Sequence, residues 1–528
     1  MKNQNKHTII TVHELLYLIS FSVLFIMKGV GIYEGMLAFN ISIVVSFFCA
    51  GVAMLMADYT IPEFIGAIAL LGCSFLAYFE TGEKAVIAAV LTVIGMKNVS
   101  LERMMKLAFG IWTVCFYGML FVHLVGWKED IILAHNKFGL GFLLRRSLGF
   151  PHPNVLHISF IIWMALFLYA WKGTGKKLLK TTVILGLANV FMFFYSVSIT
   201  GMGLGFIYLF CNYYFTLRKE FNNLEKGLMK AVLPICILMC TIPPLFFEGK
   251  LFAVLNKLLN TRMNIWKYYL TNFTPGILGT AIYPPEGQQM SLDGSYLYLL
   301  YYYGWLFFIF FVGATFWTIC RCIKKGRKKE LAIILGLSIA GIVEPFLYNF
   351  SAKNIILIFV GYEIFDALKA FSGRTINFLP WGKKEIQIWV PAITMEKIEI
   401  TWKQLRKKCF VAGAMIGILA SIYTALTFDF PRQIYVRTVR CDYVGGPGII
   451  LSELEKTLSE IKNPEECWIL GYENEETVFY AFDGNMITLE YFRGIMISGV
   501  FGFLAGTGII IIFDQFGRQK LDRKRNSI

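Results

Sequence analysis

The sequence predicts an all-α membrane protein that crosses the bilayer about fourteen times. Hydrophobic residues make up 56% of the 528 residues, and the charged share is only 16%, whereas soluble domains usually carry about 25%. Mean hydropathy is +0.59. The apolar residues also occur in repeated runs of roughly 17–25 residues, which is the length needed to cross a bilayer. A polytopic membrane protein is the class that fits these observations.

The apolar runs are separated by short polar segments. The first run follows two lysines without a small-residue cleavage site, so we expect an uncleaved first span rather than a signal peptide. The fourth span is the shortest. The predicted spans cover residues 9–27, 33–56, 61–79, 83–97, 104–125, 155–171, 181–199, 201–217, 231–248, 294–318, 331–350, 353–371, 409–427 and 494–513.

The distribution of Lys and Arg predicts the orientation. If the N-terminus is cytoplasmic, most of the 50 Lys and Arg residues lie in inner segments such as "KGTGKK", "RCIKKGRKK" and the tail "RQKLDRKR", as the positive-inside rule requires. Both termini are then cytoplasmic. The net charge of +15 is explained by topology, and we expect no nucleic-acid partner.

The spans and loops suggest three regions. Residues 1–371 form a twelve-span body with two large outer segments, 126–154 and 249–293. Residues 372–408 form a cytoplasmic linker. Residues 409–528 form a two-span unit around a third outer segment, 428–493.

The third outer segment predicts a small α+β domain. "RQIYVRTV", "CWILGY" and "TVFYAFDG" have strand character, and "IILSELEKTLSEIK" has apolar residues at helical spacing. Cys441 and Cys467 lie in this segment, and either a disulfide or two free thiols fits the sequence. No cysteine or histidine spacing typical of a zinc site is present, so we expect no metal and no cofactor.

Basic residues collect in the first two outer segments, where the positive-inside rule does not explain them. An arginine fork suits two-point contacts with phosphate, and Pro151 and Pro153 stiffen the stretch before a helix whose start favours anions. Contact with lipid headgroups is the alternative for each arginine. The residues are Lys137, Arg145, Arg146 and His152 in the first segment, and Lys250, Lys257, Arg262 and Lys267 in the second.

Three further side chains are candidates for acid–base chemistry, each with a structural alternative. His152 is a candidate base or an interfacial histidine. Asp293 is a candidate base or the cap of the next span. Glu344 lies inside a predicted span beside Pro345, where an acidic residue is costly and suggests function, although pairing with a lysine or capping a broken helix would also explain it. The tyrosines of "YLYLLYYYGW" could stack on sugars, but an interfacial aromatic belt is the more common reason for them.

Four elements resemble the O-antigen polymerase/ligase family, the Wzy-type bacterial polysaccharide polymerases, over roughly residues 10–372. "RRSLGFPHPN" resembles a motif that precedes a span in that family. "LLNTRMNIW", "SLDGSYLYLLYYYGW" and "VEPFLYNFSAKN" resemble three later elements in order and spacing. Ile199 in "SVSITGMG" stands where the family often has arginine.

The resemblance implies an enzyme that transfers a glycan from an undecaprenyl-pyrophosphate carrier to a second lipid-linked repeat unit on the outer membrane face. Arg145, Arg146 and Arg262 would bind the pyrophosphate, and His152, Asp293 and Glu344 would supply the base. A flippase and a chain-length regulator of the same pathway are further expected partners. The two-span C-terminal unit more faintly resembles such regulators.

Three alternative functions remain. A glycan ligase of the same family would use the same outer arginines. A transporter or flippase of lipid-linked sugars usually has paired internal repeats, which this sequence does not show. A structural or receptor role for the third outer segment is a further alternative.

Overall fold

The computed structural model describes residues 7–136, 142–259, 261–282, 292–349, 353–370, 373–389, 395–428, 433–435, 467–469 and 484–525. The described part is mostly helical, as predicted. Its α-helices are α1 Val12–Gly29, α2 Leu37–Met56, α3 Ile61–Thr81, α4 Ala85–Ile94, α5 Leu101–Leu124, α6 Pro153–Ala170, α7 Gly175–Ser196, α8 Ile199–Leu217, α9 Asn223–Phe246, α10 Gly249–Leu258, α11 Arg262–Asn272, α12 Ser295–Tyr298, α13 Gly304–Lys325, α14 Lys328–Ala340, α15 Ile356–Leu368, α16 Met395–Thr427 and α17 Gly484–Arg525.

Short strands form four two-stranded sheets in the described residues. Three of the pairs are antiparallel: β1 with β6, β2 with β5, and β3 with β4. The fourth pair, β7 with β8, is parallel. The strands are β1 His7–Thr11, β2 Tyr59–Thr60, β3 Ile132–Asn136, β4 Phe142–Arg146, β5 Thr375–Ile376, β6 Glu385–Trp389, β7 Gln433–Tyr435 and β8 Cys467–Ile469.

Ten helices of the described chain are long and apolar enough to cross a membrane, which is the composition of a multi-pass membrane protein. They are α1, α2, α3, α5, α6, α7, α9, α12–α13 taken together, and the apolar parts of α16 and α17.

The other four predicted spans correspond to α4, α8, α14 and α15, which do not meet that criterion. α4 has only 10 residues, and α14 and α15 have 13 each, too few for roughly 20 residues of bilayer core. α8 has 19 residues, but its glycines, tyrosines and Asn212 lower its hydropathy. The expected helix over 331–350 stops at Ala340 because the chain turns before Pro345, which begins a short 3₁₀ helix.

The interior of the body surrounds α6 and α14. Two thirds of the apolar window of α6 is buried, and nine of the 13 residues of α14 are buried. A helix that is apolar on all sides and buried belongs to the interior. α8, α9, α13 and α15 pack around α14.

Segments predicted to be cytoplasmic meet at one end of the body. β1 pairs with β6, which joins the N-terminus to the linker. His13 contacts the Lys97 carbonyl at 2.8 Å through Nε2, and Arg103 pairs with Glu14 at 2.6 Å. Lys329 donates to the Tyr169 carbonyl at 2.9 Å, beside "KGTGKK". The structure therefore groups the N-terminus, the linker and the short basic loops.

Only fragments of the third outer segment lie within the described residues. β7 and β8 fall inside two of the predicted strands. The predicted helix at 450–461, the "TVFYAFDG" strand and the pairing of Cys441 with Cys467 lie outside the residues whose side chains the structure describes.

The basic end is held by a buried carboxylate. Glu363 on α15 is 2% exposed and accepts from Arg321 at 2.6 Å and from Lys325 at 3.2 Å, and it also pairs with Arg327. Removing one partner of a buried ion pair leaves uncompensated charge, which costs about 3–5 kcal/mol.

We expect Glu363→Ala to lower the melting temperature of the purified protein in detergent markedly. The matched control is Glu102→Ala, because Glu102 pairs with Lys106 at a site where both side chains are more than 60% exposed and such pairs contribute about 0–1 kcal/mol. Equal melting temperatures for the two variants would contradict the proposed importance of the cluster.

Candidate functional site

The stretch "RRSLGFPHPN" folds around Asp130. One Asp130 carboxylate oxygen accepts from the Ser147 amide at 2.9 Å, the Ser147 hydroxyl at 3.0 Å and the Leu148 amide at 2.7 Å. This carboxylate fixes the turn that leaves β4. Leu148 and Gly149 both have positive φ, 49° and 83°, and a Cβ at Gly149 would lie 2.9 Å from the Cβ of His123. Glycine is therefore required at this turn.

The same stretch then starts α6. His152 is the N-cap, and its Nδ1 accepts from the Asn154 amide at 3.0 Å. Pro153 occupies the first helical turn, where its missing N–H costs nothing. The Asn154 side chain accepts a hydrogen bond from Arg145. His152 thus adjoins Arg145 through Asn154.

Arg145 and Arg146 serve different surroundings, because neighbouring residues of a strand point to opposite faces. Arg145 is 6% exposed and donates through Nε to the Ser196 carbonyl at 2.9 Å. Arg146 pairs with Asp130 at 3.3 Å and Glu490 at 2.8 Å. The two arginines do not form one anion site, and Arg146 is already neutralised by two carboxylates.

Arg262 opens α11 in the second outer segment. It is 5% exposed, and one of its Nη atoms lies 3.2 Å from an Asp293 carboxylate oxygen and 3.9 Å from a Glu344 carboxylate oxygen. Its Nε is buried and has no hydrogen-bond partner in the described structure. A buried guanidinium nitrogen without an acceptor is costly, and a bound anion would satisfy it.

Asp293 lies just before α12 and is the more accessible carboxylate, with its side chain 34% exposed. Its carbonyl accepts from the Trp266 indole N–H. Burial raises the pKa of the Asp293 carboxyl above its ordinary value, and the charge of Arg262 opposes that shift. Gly294 follows with φ 126°, and a Cβ there would lie 3.1 Å from the Ile342 carbonyl oxygen, so α11, Asp293 and the chain after α14 approach closely.

Glu344 is held in the irregular segment after α14. The Ser295 hydroxyl donates to the Glu344 carbonyl at 2.5 Å and accepts from the Leu347 amide at 3.2 Å. The Ser295 amide donates to the Gly341 carbonyl at 2.7 Å. Glu344 is thus not inside a helix, and its side chain is 13% exposed beside Arg262.

Lys353 completes the group. It is 6% exposed, and its ammonium lies 6.0 Å from the centre of the Trp112 ring. Glu344 interacts electrostatically with Arg262, Asp293, Lys353 and Arg145. Burial lowers the pKa of Arg145 to about 10, with Glu344 opposing the shift and Arg262 adding to it, so Arg145 stays protonated at neutral pH.

These five residues form what we call the arginine cluster: Arg145, Arg262, Asp293, Glu344 and Lys353. With its groups in their ordinary charge states, the cluster carries three positive and two negative charges, which leaves one positive charge in excess. Buried excess positive charge favours an anionic ligand. The cluster lies where α12 and the end of α14 meet, at the end of these helices opposite the basic loops.

The predicted site residues therefore divide into three groups. Arg145, Arg262, Asp293 and Glu344 come together, His152 lies next to them, and Arg146 does not join them. Sequence reasoning missed Lys353, although it lies within "VEPFLYNFSAKN". Lys353 lies nine residues after Glu344 and beyond the expected end of a helix, so the sequence gave no indication that the two side chains would be near each other.

The tyrosine run does not form an interfacial belt. Tyr296, Tyr301 and Tyr303 are at most 1% exposed, and the Tyr296 and Tyr301 hydroxyls donate to the Ser338 carbonyl at 2.6 Å and the Tyr269 carbonyl at 2.8 Å. Leu299–Tyr303 forms a π-helical turn, a feature frequent near functional sites. These tyrosines support the second outer segment from inside the body.

Comparison with known proteins gives no assignment: no family model, no curated protein and no solved structure matches this chain. The functional reading therefore rests on the residues and their geometry.

We expect inorganic pyrophosphate to raise the melting temperature of the purified protein, and Arg262→Gln to abolish the rise because the orphaned Nε and its charge are lost. A ligand at about 100 times its Kd adds about 2.7 kcal/mol. Asn264→Ala, an exposed position on the same helix, is the control and should respond like the wild type. A full thermal response from Arg262→Gln would contradict an anion site at this arginine.

Proposed function

We propose that this chain is a membrane glycosyltransferase that polymerises undecaprenyl-pyrophosphate-linked oligosaccharide repeat units on the outer face of the cell membrane. One observation carries the proposal: Arg262, from the second large outer segment, lies 3.2 Å from Asp293 and 3.9 Å from Glu344, and Arg145, from the first, is close enough to interact electrostatically with Glu344 and Arg262. The four sequence elements that resemble the polymerase/ligase family each supply a member of this cluster.

The proposed topology has fourteen crossings with both termini in the cytoplasm. In it α4, α8, α14 and α15 also cross, as short or less apolar helices protected by their neighbours. The grouping of the basic loops at one end supports this orientation through the positive-inside rule. The arginine cluster at the opposite end of α13 and α14 would then face the outside.

The reaction would join an acceptor sugar hydroxyl to the first carbon of the donor glycan. The bond between that carbon and the pyrophosphate oxygen breaks, and the pyrophosphate leaves with the bonding electrons on its lipid carrier. Arg145 and Arg262 would stabilise the charge that develops on the leaving group. Lys353 would add a third cation.

The hydroxyl proton needs an acceptor. Asp293 is the better placed base because its carboxylate is partly exposed and lies beside Arg262, which orients it. Glu344 is more enclosed, and would hold Arg262 between two carboxylates. His152, next to Arg145 through Asn154, would orient the donor rather than take the proton.

The implied partners are two lipid-linked oligosaccharides, the donor and the acceptor, together with membrane lipid. A flippase would deliver them to the outer face, and a chain-length regulator would act with the polymerase. A ligase would use the same donor chemistry with a different acceptor. The two can be distinguished with purified protein in proteoliposomes that contain lipid-linked repeat units as the only glycan. Chain growth supports a polymerase. Hydrolysis, or no reaction until another acceptor is added, favours a ligase.

We expect Arg145→Lys to reduce polymer formation in that assay by about 100-fold or more, the usual effect of losing one preorganised donor to a developing charge. Lysine keeps the charge but cannot bind Asn154, the Ser196 carbonyl and a phosphate at once. Arg374→Lys, which changes an exposed arginine, should retain wild-type activity. Normal chain growth by Arg145→Lys would remove the main support for the proposal.

The pH dependence should follow Asp293. A base must be deprotonated to accept a proton, so the rate should fall as pH decreases through its pKa. Because burial raises that pKa, we expect the midpoint of the acid limb above the ordinary aspartate value of about 3.9. Asp293→Asn should remove this limb and lower kcat by about 10²–10⁴.

The matched control for the pH profile is Glu248→Gln, which neutralises an exposed carboxylate directly before the same outer segment. Its profile should overlay that of the wild type. An Asp293→Asn enzyme with an unchanged acid limb would assign the base to another group.

A further inference from the structure

α17, the second helix of the C-terminal unit, reaches into the body through Arg493. This arginine is 2% exposed. It donates through Nε to the Phe194 carbonyl at 2.6 Å, and through Nη2 to the Tyr195 carbonyl at 3.2 Å and the Leu144 carbonyl at 2.5 Å. Because this guanidinium binds three carbonyls from two segments of the body and is buried, it holds α17 rigidly against the body.

Two of those carbonyls belong to the last turn of α7, Gly175–Ser196. The last four carbonyls of a helix have no partner inside the helix and carry partial negative charge. Arg493 binds those of Phe194 and Tyr195, and Arg145 binds that of Ser196 at 2.9 Å. The two arginines cap one helix end side by side.

The third carbonyl belongs to Leu144, the residue before Arg145 on β4. Arg146, the residue after Arg145, donates to Glu490 at 2.8 Å. Glu490 is 7% exposed and also pairs with Arg493, one turn further along α17. Leu144 and Arg146, the residues on either side of Arg145, are thus both bound to α17. The side chain of Arg145 binds the C-terminal end of α7, which Arg493 of α17 also binds.

We infer that Arg493, with Glu490, is a positioning residue for Arg145, so that the two-span C-terminal unit is a part of the glycan-transfer site and not only an attached module. The inference rests on the proposed function for its rate readout, and its binding readout is independent of it. A guanidinium displaced by about 1 Å can lose about 100-fold in rate.

The test uses the full-length double variant Glu490→Gln/Arg493→Gln, which removes both charges of the pair together and leaves no unpaired charge between them, while Arg146 keeps Asp130. Two quantities are measured at a temperature where each protein is folded: the Kd for inorganic pyrophosphate and kcat for chain growth. We expect the Kd to rise by about tenfold and kcat to fall by about 100-fold in the folded double variant.

The matched control is Ser421→Ala. The Ser421 hydroxyl donates to the Ile495 carbonyl at 3.1 Å, so this change loosens the contact between α16 and α17 without touching β4 or α7. It should leave both quantities as in the wild type. Wild-type Kd and kcat in the double variant would overturn the inference and make α17 a simple anchor.

Arg493→Lys covers the case in which the double variant does not fold. Lysine keeps the charge beside Glu490 but cannot bind all three carbonyls, so the same losses are expected in the folded protein, and wild-type values would again overturn the inference. If the wild type makes no polymer, the proposed function fails, and the pyrophosphate Kd alone decides the role of Arg493.

Discussion

The constraint on which this structure depends is that a buried guanidinium must have its charge and its donors satisfied. Arg145, Arg262 and Arg493 are each at most 6% exposed, and each is held differently. Arg493 is satisfied within the protein by Glu490 and three carbonyls. Within the described part of the chain, Arg145 donates to one backbone carbonyl and one amide oxygen. Arg262 shares two carboxylates and retains an unsatisfied Nε. Arg493 therefore has more of its donors and charge satisfied by the protein than Arg145 and Arg262 have. An anion-binding site requires arginine donors that the protein itself leaves without acceptors.

The surrounding architecture places these side chains by hydrogen bonds to backbone rather than by regular packing alone. Asp130 fixes the turn after β4, Ser295 fixes the segment that carries Glu344, and the end of α7 provides neighbouring carbonyl acceptors for Arg145 and Arg493. Each device uses a buried polar group whose partners come from distant parts of the chain. Such networks specify one arrangement, because a partly satisfied network is costly. The result is a rigid arrangement of charges, and preorganised charge is the main source of rate acceleration in group transfer.

The membrane class and most of the long helices were predictable from the sequence, and there are physical reasons why the other features were not. Hydropathy predicted the membrane class and ten of the spans because a bilayer imposes length and composition directly. The crossings at α4, α8, α14 and α15 stay predictions, because these helices are too short or not apolar enough for hydropathy and length alone to identify them as spans. Pro345 in "VEPF" indicated that the predicted span 331–350 would be interrupted. It did not indicate that α14 would end at Ala340. The motifs pointed to Arg145, Arg262, Asp293 and Glu344, and their role in a site stays a prediction. Arg146 was misplaced because adjacent positions suggested a shared role, whereas strand geometry sends them to opposite faces. Lys353 and Arg493 could not be found, since only tertiary contacts relate them to the others.

The pairing of β1 with β6 has a consequence for biogenesis. His7–Thr11 is synthesised before the helical body, but its partner Glu385–Trp389 is synthesised only after that body. During that interval the edge of β1 is an unpaired row of backbone donors and acceptors, which is a surface prone to wrong associations. α17 emerges later still, so the nascent chain inserts nearly all its helices before either closure can form. Pairing of β1 therefore waits until the linker has been synthesised, and an arrest of synthesis before the linker would leave β1 without its partner strand.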